Sequence, residues 1–383
     1  MNDVEVARGV PARLSTRLAF LVAGLVMASW APQVPYAATR LRLGDSALGL
    51  LLLCLGIGSV LAMQVIGAAV ARFGSRAVVL VSGAALCITL PLLAWANTPF
   101  FLAAALLTFG AAIGSIDVAM NVHAVEVEQA AGEPLMSGFH GMYSLGGLIG
   151  AAGGTALLSA GLQPTAAAGM AALVAIVLLV LSAPGLLRSK SAHKTPLLVM
   201  PHGIVILIGA LACIAFLTEG AILDWSALLL TGSFAVPPAQ AGVGYALFSI
   251  AMTVGRLTGD GVIKHLGQRK ALLCGGLTVT AGFAVLLWVP SAHLASWGFL
   301  LIGLGAANLV PILFSTAGRQ TAMPPVLAVA SMTTFGYAGI LVGPAAIGYI
   351  ASLTSLRTAF ALLGVLMLSF PLFRARIPTA QSL

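Results

Sequence analysis

The chain has 383 residues, of which 60% are hydrophobic and only 7% are charged, with a formal net charge of +8. A water-soluble domain carries about 25% charged residues, so this composition excludes a soluble protein and predicts the lipid bilayer as solvent. At roughly 20 apolar residues for each membrane span, plus short connections, the length suits about a dozen helices.

Twelve apolar segments follow one another along the chain. The first six are predicted at about 14–39, 46–71, 76–96, 99–124, 137–160 and 164–187, and the second six at about 202–231, 238–263, 269–289, 293–318, 325–352 and 355–376. We therefore predict an all-α membrane protein with twelve transmembrane helices. It divides into an N-terminal six-helix bundle at 1–187, a polar and basic cytoplasmic linker at 188–201, and a C-terminal six-helix bundle at 202–383.

The basic residues indicate orientation. Of the 18 Lys and Arg residues, fourteen fall on one side of the predicted membrane, whereas only Arg40, Arg42 and Arg357 fall on the other and Arg256 lies in a span. Cytoplasmic loops carry the excess of Lys and Arg, so both termini are predicted to be cytoplasmic. The same short clusters, without a basic face interleaved with aromatics, exclude a nucleic-acid partner.

The two halves share short matches at corresponding places, as parallel repeats do. The matches are Phe20-Leu-Val-Ala-Gly24 with Phe216-Leu-Thr-Glu-Gly220, Gly74-Ser-Arg76 with Gly267-Gln-Arg269, and Gly114-x-x-Asp117 with Gly305-x-x-Asn308. We predict that the bundles repeat one arrangement.

Asp117 and Asn121 stand out in the fourth predicted helix, because ionisable groups inside spans are costly and mark functional candidates. Four residues apart, they lie on one helical face with Gly114, and we expect that face to line a cavity. A carboxyl group in a low-dielectric cavity holds a proton more readily than one in water, which suits proton coupling. The alternative is a structural hydrogen bond to a neighbouring helix.

Tryptophans with polar neighbours mark the first and seventh predicted helices. Glu219 lies near the middle of the seventh, and Asp224, five residues on, is turned away from it by about 140°. Trp225 either stacks on a sugar ring or anchors the helix at the membrane interface. Trp30 and Gln33 occupy the corresponding region of the first helix and are candidate solute ligands.

Arg256 and Asp260 are four residues apart in the eighth predicted helix. They are expected to neutralise each other on one face and to serve structure or gating rather than solute binding. Glu126, Glu128 and Glu133, after the fourth predicted segment, are interpreted as a solvated acidic loop.

Motifs for covalent chemistry or ATP use are absent from the sequence: it has no nucleophile with a base, no metal-ligand cluster and no phosphate-binding Gly-Lys-Ser/Thr loop. We expect a non-enzyme without cofactor or metal, driven by a gradient. The four cysteines lie in apolar runs, where buried free thiols are expected: Cys54, Cys87, Cys213 and Cys274.

Two segments resemble the loop motif of the major facilitator superfamily. They are Gly67-Ala-Ala-Val-Ala71-Arg72-Phe-Gly74-Ser-Arg76, in which Ala71 replaces the motif's Asp, and Gly255-Arg256-x-x-Gly259-Asp260 before Lys264, Gly267 and Arg269. With the architecture, the resemblance covers essentially the whole chain. It implies gating roles for Arg72, Arg76, Arg256 and Asp260, and for His140 opposite the last two, because helix 5 packs against helix 8 in this fold.

A finer resemblance is to the fucose permease type. Gly114-Ser-Ile-Asp117-Val-Ala-Met-Asn121 is similar to its helix 4 stretch, and Ser137-Gly-Phe139-His140 and Glu219-Gly-x-x-x-Asp224-Trp225-Ser226 are similar to a bacterial branch near those permeases. That type also has an acidic residue in helix 1, which this chain lacks. The internal repeat adds a further prediction. Asp117 and Asn308 occupy corresponding places in helices 4 and 10, and such helices face each other across the pseudo-twofold axis of the facilitator fold. We therefore predict one central cavity lined by Asp117, Asn121, Asn308, Trp30, Gln33 and Glu219.

These features predict a monomeric secondary active transporter in the bacterial inner membrane. It would move a small, polar, sugar-like solute by alternating access, with Asp117 and Glu219 as proton-coupling groups. The candidate solute ligands are Trp30, Gln33, Asn121, Asp224, Trp225 and Asn308. The alternatives are a proton-coupled exporter of drugs or metabolites, since an apolar cavity suits lipophilic cations, and a membrane receptor that transports nothing.

Overall fold

A computed structural model describes residues 9–188, 200–237, 240 and 242–378. Arg8, Lys190 and Lys194, which contribute to the charge asymmetry, and most of the predicted linker 188–201 lie outside this part of the chain. The described residues form helices joined by short turns.

Twelve helices of the described chain are long and apolar enough to cross a membrane. We number them α1 (Val10–Arg40), α2 (Ala47–Phe73), α3 (Ser75–Trp95), α4 (Pro99–Ala131), α5 (Met136–Ser159), α6 (Pro164–Gly185), α7 (Ile204–Phe234), α8 (Val243–Leu266), α9 (Gln268–Trp288), α10 (Ala292–Arg319), α11 (Pro325–Leu353) and α12 (Leu356–Phe373). All twelve predicted spans are confirmed, and most of their ends fall within five residues of the predicted ones.

The end of α4 is the largest difference from prediction. The helix continues to Ala131, so Glu126 and Glu128 are helical and Glu128 is only 2% exposed. The interpretation as an acidic loop is wrong for these two residues, because α4 extends beyond its apolar run and Glu128 packs inside the unit. Glu133, which does lie beyond the helix, pairs with Lys264 at 3.3 Å.

The four cysteines are free thiols, but only one of them is buried. Cys87 is buried, Cys54 and Cys213 are half-buried, and Cys274 is exposed. The expectation of burial is wrong for the last three because an apolar run in a membrane helix also has faces that point away from the protein interior.

The helices form two compact units. The first comprises Met1–Gly132 and Met142–Met200, and the second comprises Glu133–Gly141 and Pro201–Leu383. Helix α5 therefore contributes its first residues to the second unit and the remainder to the first. The predicted division at the linker 188–201 places all of α5 in the first bundle.

Each unit repeats the same packing. In the first unit α4 packs on α2 and α3, and α3 on α6; in the second, α10 packs on α8 and α9, and α9 on α12. The turns at Gly74 and Gly267 are also equivalent, each joining two helices with φ of 87° and 78°, a conformation that favours glycine. The short sequence matches therefore fall on equivalent structural positions.

Helices α1 and α10 are each interrupted beside a proline, Pro32 in α1 and Pro311 in α10. In α1, Pro32 has no N–H for the carbonyl of Ala28, which accepts instead from Ala31, and the helix tightens into a 3₁₀ turn at Ala31–Gln33. In α10 the regular helix ends at Ala306 and resumes at Leu309. A polar side chain lies at each break, Gln33 in α1 and Asn308 in α10.

Candidate functional site

The acid and amide of α4 are hydrogen-bonded in the first unit. Asn121 is fully buried, and its Nδ2 donates to Oδ1 of Asp117 at 3.0 Å and to the Asp117 carbonyl at 2.8 Å. Asp117 and Asn121 therefore do lie on one face of α4, as predicted. A Cβ on Gly114 would lie 2.7 Å from the Ser59 carbonyl oxygen, so the glycine end of this face packs against α2 rather than lining a cavity.

The break in α1 holds two buried polar atoms without partners. Trp30 is 4% exposed and Gln33 is 2% exposed. Gln33 Nε2 donates to the Ser29 carbonyl at 3.3 Å. Among the described residues, however, neither Nε1 of Trp30 nor Oε1 of Gln33 has a hydrogen-bond partner. The first unit therefore presents an unused donor and an unused acceptor three residues apart.

A similar pair occurs in α7 of the second unit. Nε1 of Trp225 and Oγ of Ser226 are buried and lack partners within the described part of the chain, whereas Asp224 is exposed. The far edge of the Trp225 ring lies 3.1 Å from where a Cβ on Gly348 of α11 would stand. The ring therefore packs on α11, and whether Trp225 contacts solute or anchors the helix at the membrane interface stays a prediction.

The two pairs are related by the internal repeat. Trp30 lies ten residues after Phe20, and Ser226 lies ten residues after Phe216, in the segments whose sequences match. Helices α1 and α7 therefore each carry, at corresponding positions of the repeat, a tryptophan N–H and a nearby oxygen that have no hydrogen-bond partner among the described residues.

A buried ion pair joins α7 to α8. Nη2 of Arg256 lies 3.1 Å from Oε1 of Glu219, and their side chains are 8% and 21% exposed. Nε of Arg256 also donates to the carbonyl of Ala307 at 3.4 Å. Pro311 has no N–H for that carbonyl, so the guanidinium uses an acceptor that α10 leaves open. One side chain thus links three helices.

Asp260, four residues after Arg256, caps the start of α5. Both its carboxylate oxygens accept from the backbone N–H of Gly138, at 3.0 and 3.1 Å. That N–H belongs to the first turn of α5, whose N–H groups have no partner within the helix, and the helix dipole favours a carboxylate there. A Cβ on Gly138 would lie 2.4 Å from Oδ2 of Asp260, so this approach requires glycine.

We predicted that Arg256 and Asp260 neutralise each other, but this prediction omits their partners on other helices. Each side chain has a partner on another helix, Glu219 for Arg256 and Gly138 for Asp260. Spacing along one helix cannot reveal partners that the fold brings from elsewhere. His140 lies two residues after Gly138 in α5, buried against the ring of Phe314 with 5.3 Å between ring centroids.

Asn308 sits at the break in α10 and packs on α8. Its Nδ2 donates to the carbonyl of Gly255 at 3.3 Å, and its Oδ1 has no partner among the described atoms. A Cβ on Gly259 would lie 1.8 Å from that oxygen. The glycines at 255 and 259 therefore leave room for the amide, whose predicted contact with solute stays a prediction.

Among the residues described, the loop motif of the first half, residues 67–76, lacks the contacts between helices that Arg256 and Asp260 make in the second half. Arg72 is exposed and lies over the ring of Phe73, 5.2 Å from its centroid. Arg76 is half-buried in the first turn of α3, and Ala71, at the motif's Asp position, is buried. The gating roles of Arg72 and Arg76 stay predictions.

Sequence reasoning missed His123, which is fully buried in α4. Its Nε2 accepts from the backbone N–H of Leu187 at 2.8 Å, and its Nδ1 lies 3.1 Å from Oγ1 of Thr16. Since Nε2 accepts, the neutral ring carries its proton on Nδ1 and donates to Thr16, which in turn donates to the Ala12 carbonyl. A histidine inside an apolar run, two residues after Asn121, was the available signal.

Metal-binding geometry is not found within the described residues: no group of three or more His, Cys, Asp or Glu side chains there could hold an ion.

Comparison with known proteins decides the family. The family model described as Major Facilitator Superfamily matches residues 17–323. The chain belongs to the Major Facilitator Superfamily. This superfamily transporter is 53% identical over 370 residues to an uncharacterized MFS-type transporter of Yersinia pestis, with 96% of each chain covered. It is a multi-pass bacterial membrane protein.

Solved structures of the superfamily share its fold. FucP, the E. coli fucose:proton symporter, crystallised in the outward conformation, has a TM-score of 0.80 at 14% identity, covering 98% of this transporter and 100% of FucP. The proton:xylose symporter XylE bound to 6-bromo-6-deoxy-D-glucose has a TM-score of 0.77 at 13% identity, covering 96% of both chains.

Proposed function

We propose that this transporter carries a small neutral solute bearing hydroxyl groups, sugar-like in size, by alternating access and as a monomer, and that protons drive the movement. FucP and XylE are named as proton symporters of fucose and xylose, which supports the proposal at the level of fold.

The observation that carries the proposal is the set of partnerless polar atoms in α1 and α7. An indole N–H can only donate, whereas the Gln33 and Ser226 oxygens can accept. Leaving such a group buried and unpaired costs about 1–3 kcal/mol. A solute hydroxyl both donates and accepts, so it can satisfy both members of a pair. A lipophilic cation without oxygen atoms, such as tetraphenylphosphonium, has no acceptor for the indole N–H, so these atoms favour a hydroxyl-bearing solute over such a cation.

Asp117 is the proposed proton-coupling group. The Asn121 amide donates to its carboxylate, and it can still donate to the carbonyl oxygen of the protonated acid. The site can therefore change charge without losing its geometry. Glu219, by contrast, is held by Arg256, and we propose that it acts on solute binding or helix linkage more than on coupling.

We further infer that both termini are cytoplasmic, in the inner membrane. Two of the three arginines on the opposite side have local structural roles. Arg40 donates to the carbonyls of Ala96 and Leu93, at 2.8 and 3.2 Å, and Arg357 donates to the carbonyl of Leu287. Basic side chains suit helix C-termini, so these exceptions to the charge asymmetry have a physical reason.

A thermal-stability screen of the purified transporter tests the proposal, because a ligand that binds only the folded state raises its stability. The probes are neutral monosaccharides, amino acids and lipophilic cations. We expect a monosaccharide to raise the melting temperature, with a smaller rise in Trp30→Phe and Trp225→Phe, each of which removes one indole N–H. Trp95→Phe, at an exposed tryptophan, is the matched control and should respond like the parent.

A response to cations alone would support the exporter and overturn the proposal. A monosaccharide that binds but shows no flux in proteoliposomes would support the receptor alternative instead.

A further inference from the structure

A cleft of about 590 Å³ lies between α9 and α12 of the second unit, and none of the proposed solute or proton-coupling residues lines it. On α9 it is lined from Thr280 to Trp288, and on α12 from Arg357 to Val365. The lining residues recur at helical spacing, so one stripe of each helix faces the cleft. Small side chains at Ala284 and Ala361 leave the space that larger residues would fill.

The cleft has a closed end and a basic end. At the closed end Thr280 donates to the carbonyl of Gly364 at 3.0 Å, and a Cβ on Gly364 would lie 2.9 Å from Cβ of Phe283, so the helices touch. Seven residues away, Arg357 donates to the carbonyl of Leu287. At 1.5 Å per residue the cleft is about 10 Å long, roughly a third of the hydrocarbon thickness of a bilayer.

Arg357 holds a positive charge at the basic end. Its guanidinium is exposed and lies over the ring of Phe234, 5.7 Å from the centroid. No carboxylate of the described chain lies within ion-pair distance of it. One of its five N–H groups is used by Leu287, so the others remain able to donate.

The surroundings of the cleft belong to the membrane. Val365 lines it and is 61% exposed, and Trp288 at its basic end is 84% exposed. Exposed tryptophans at the ends of spans sit at the level of lipid headgroups. The apolar stripe therefore lies at the depth of acyl chains, with the guanidinium at the depth of phosphates.

We propose that this cleft binds an anionic phospholipid of the bilayer. Part of one acyl chain lies between α9 and α12, and the phosphate accepts hydrogen bonds from Arg357. Guanidinium and phosphate form charge-assisted hydrogen bonds in a geometry that lysine cannot reproduce. Arg357 thus has two roles, capping α9 and recognising the lipid headgroup.

Native mass spectrometry of the transporter with phosphatidylglycerol or phosphatidylcholine tests this proposal. We expect retention of phosphatidylglycerol over phosphatidylcholine, and a loss of about tenfold in phosphatidylglycerol binding in Arg357→Gln. Ala361→Leu, which fills the cleft at an exposed position, should weaken both lipids. Arg42→Gln is the matched control, because Arg42 is exposed on the same predicted side but lies in the first unit.

Arg357→Lys keeps the positive charge and a donor for the carbonyl of Leu287. We expect this variant to retain part of the phosphatidylglycerol binding. Equal phosphatidylglycerol binding by the parent and a folded Arg357→Gln would overturn the proposal, as would a loss in Arg42→Gln of the same size. If Arg357→Gln does not fold, Ala361→Leu decides: unchanged lipid binding there contradicts an occupied cleft.

Discussion

The carboxylate of Glu219 lies 3.1 Å from the guanidinium of Arg256, with both side chains largely withdrawn from the surface. Arg256 also donates to the carbonyl of Ala307 beside the break in α10. Because burying an unpaired charge is far more costly than burying a matched pair, each of these side chains depends on the other. The second unit is therefore organised around a charge pair that links α7, α8 and α10.

Removing one member of this pair should be strongly destabilising. Glu219→Gln removes the carboxylate that lies 3.1 Å from the buried guanidinium of Arg256, at an expected cost of about 3–5 kcal/mol. Arg256→Gln should behave similarly, and the double variant should be more stable than the sum of the two losses implies. Thermal unfolding of the four proteins in detergent measures this coupling. Additive losses would show that the pair contributes nothing as a pair.

Gly138→Ala should separate Asp260 from α5. The new Cβ would lie 2.4 Å from Oδ2 of Asp260, so the carboxylate must move and the N-terminal turn of α5 loses its cap, at about 0.5–2 kcal/mol. Gly261→Ala is the control, because a Cβ there meets nothing within 4 Å and alanine favours helix. Comparison of their melting temperatures should show a decrease only for Gly138→Ala; equal values would contradict the cap.

His123→Phe should destabilise the first unit. The substitution keeps an aromatic ring but leaves the N–H of Leu187 and the hydroxyl of Thr16 without the imidazole, and an unsatisfied buried group costs about 1–3 kcal/mol. His293→Phe, at an exposed histidine, is the matched control for thermal unfolding. No difference between the two variants would mean that the imidazole does not hold α1, α4 and the segment after α6 together.

The orientation can be tested by fusion of a reporter that is active only in the periplasm. Placed after Leu383 it should be inactive, because the basic residues predict a cytoplasmic carboxyl terminus. The same reporter inserted at Gly161, in the turn between α5 and α6 where an added side chain would meet nothing within 4 Å, should be active. The opposite pattern would reverse the predicted topology.

The sequence predicts local features of this protein much better than distant contacts. Hydropathy located all twelve spans because each is a continuous apolar run, and the bond between Asp117 and Asn121 follows from their spacing of four residues. Partners separated by 37 residues, as in Glu219 and Arg256, or by 122, as in Gly138 and Asp260, leave no periodic signal. They become neighbours only when helices pack.

The partnerless atoms of α1 and α7 were equally out of reach of sequence reasoning. Trp30 and Gln33 were recognisable as polar candidates, but whether Nε1 and Oε1 find partners depends on neighbouring helices. His123 was missed for the same reason, since its partners Thr16 and Leu187 lie 107 and 64 residues away.

Proton flux in proteoliposomes that contain an internal pH dye tests the central claim, using the monosaccharide that most raises the melting temperature. Adding that sugar outside should acidify the interior for the parent protein and for Glu133→Gln, in which a carboxyl group beyond the end of α4 is removed. Asp117→Asn should bind and exchange the sugar but produce no acidification and no uphill accumulation, because its amide mimics the protonated acid. Acidification by Asp117→Asn equal to that of the parent would contradict the assignment of Asp117 as the coupling group.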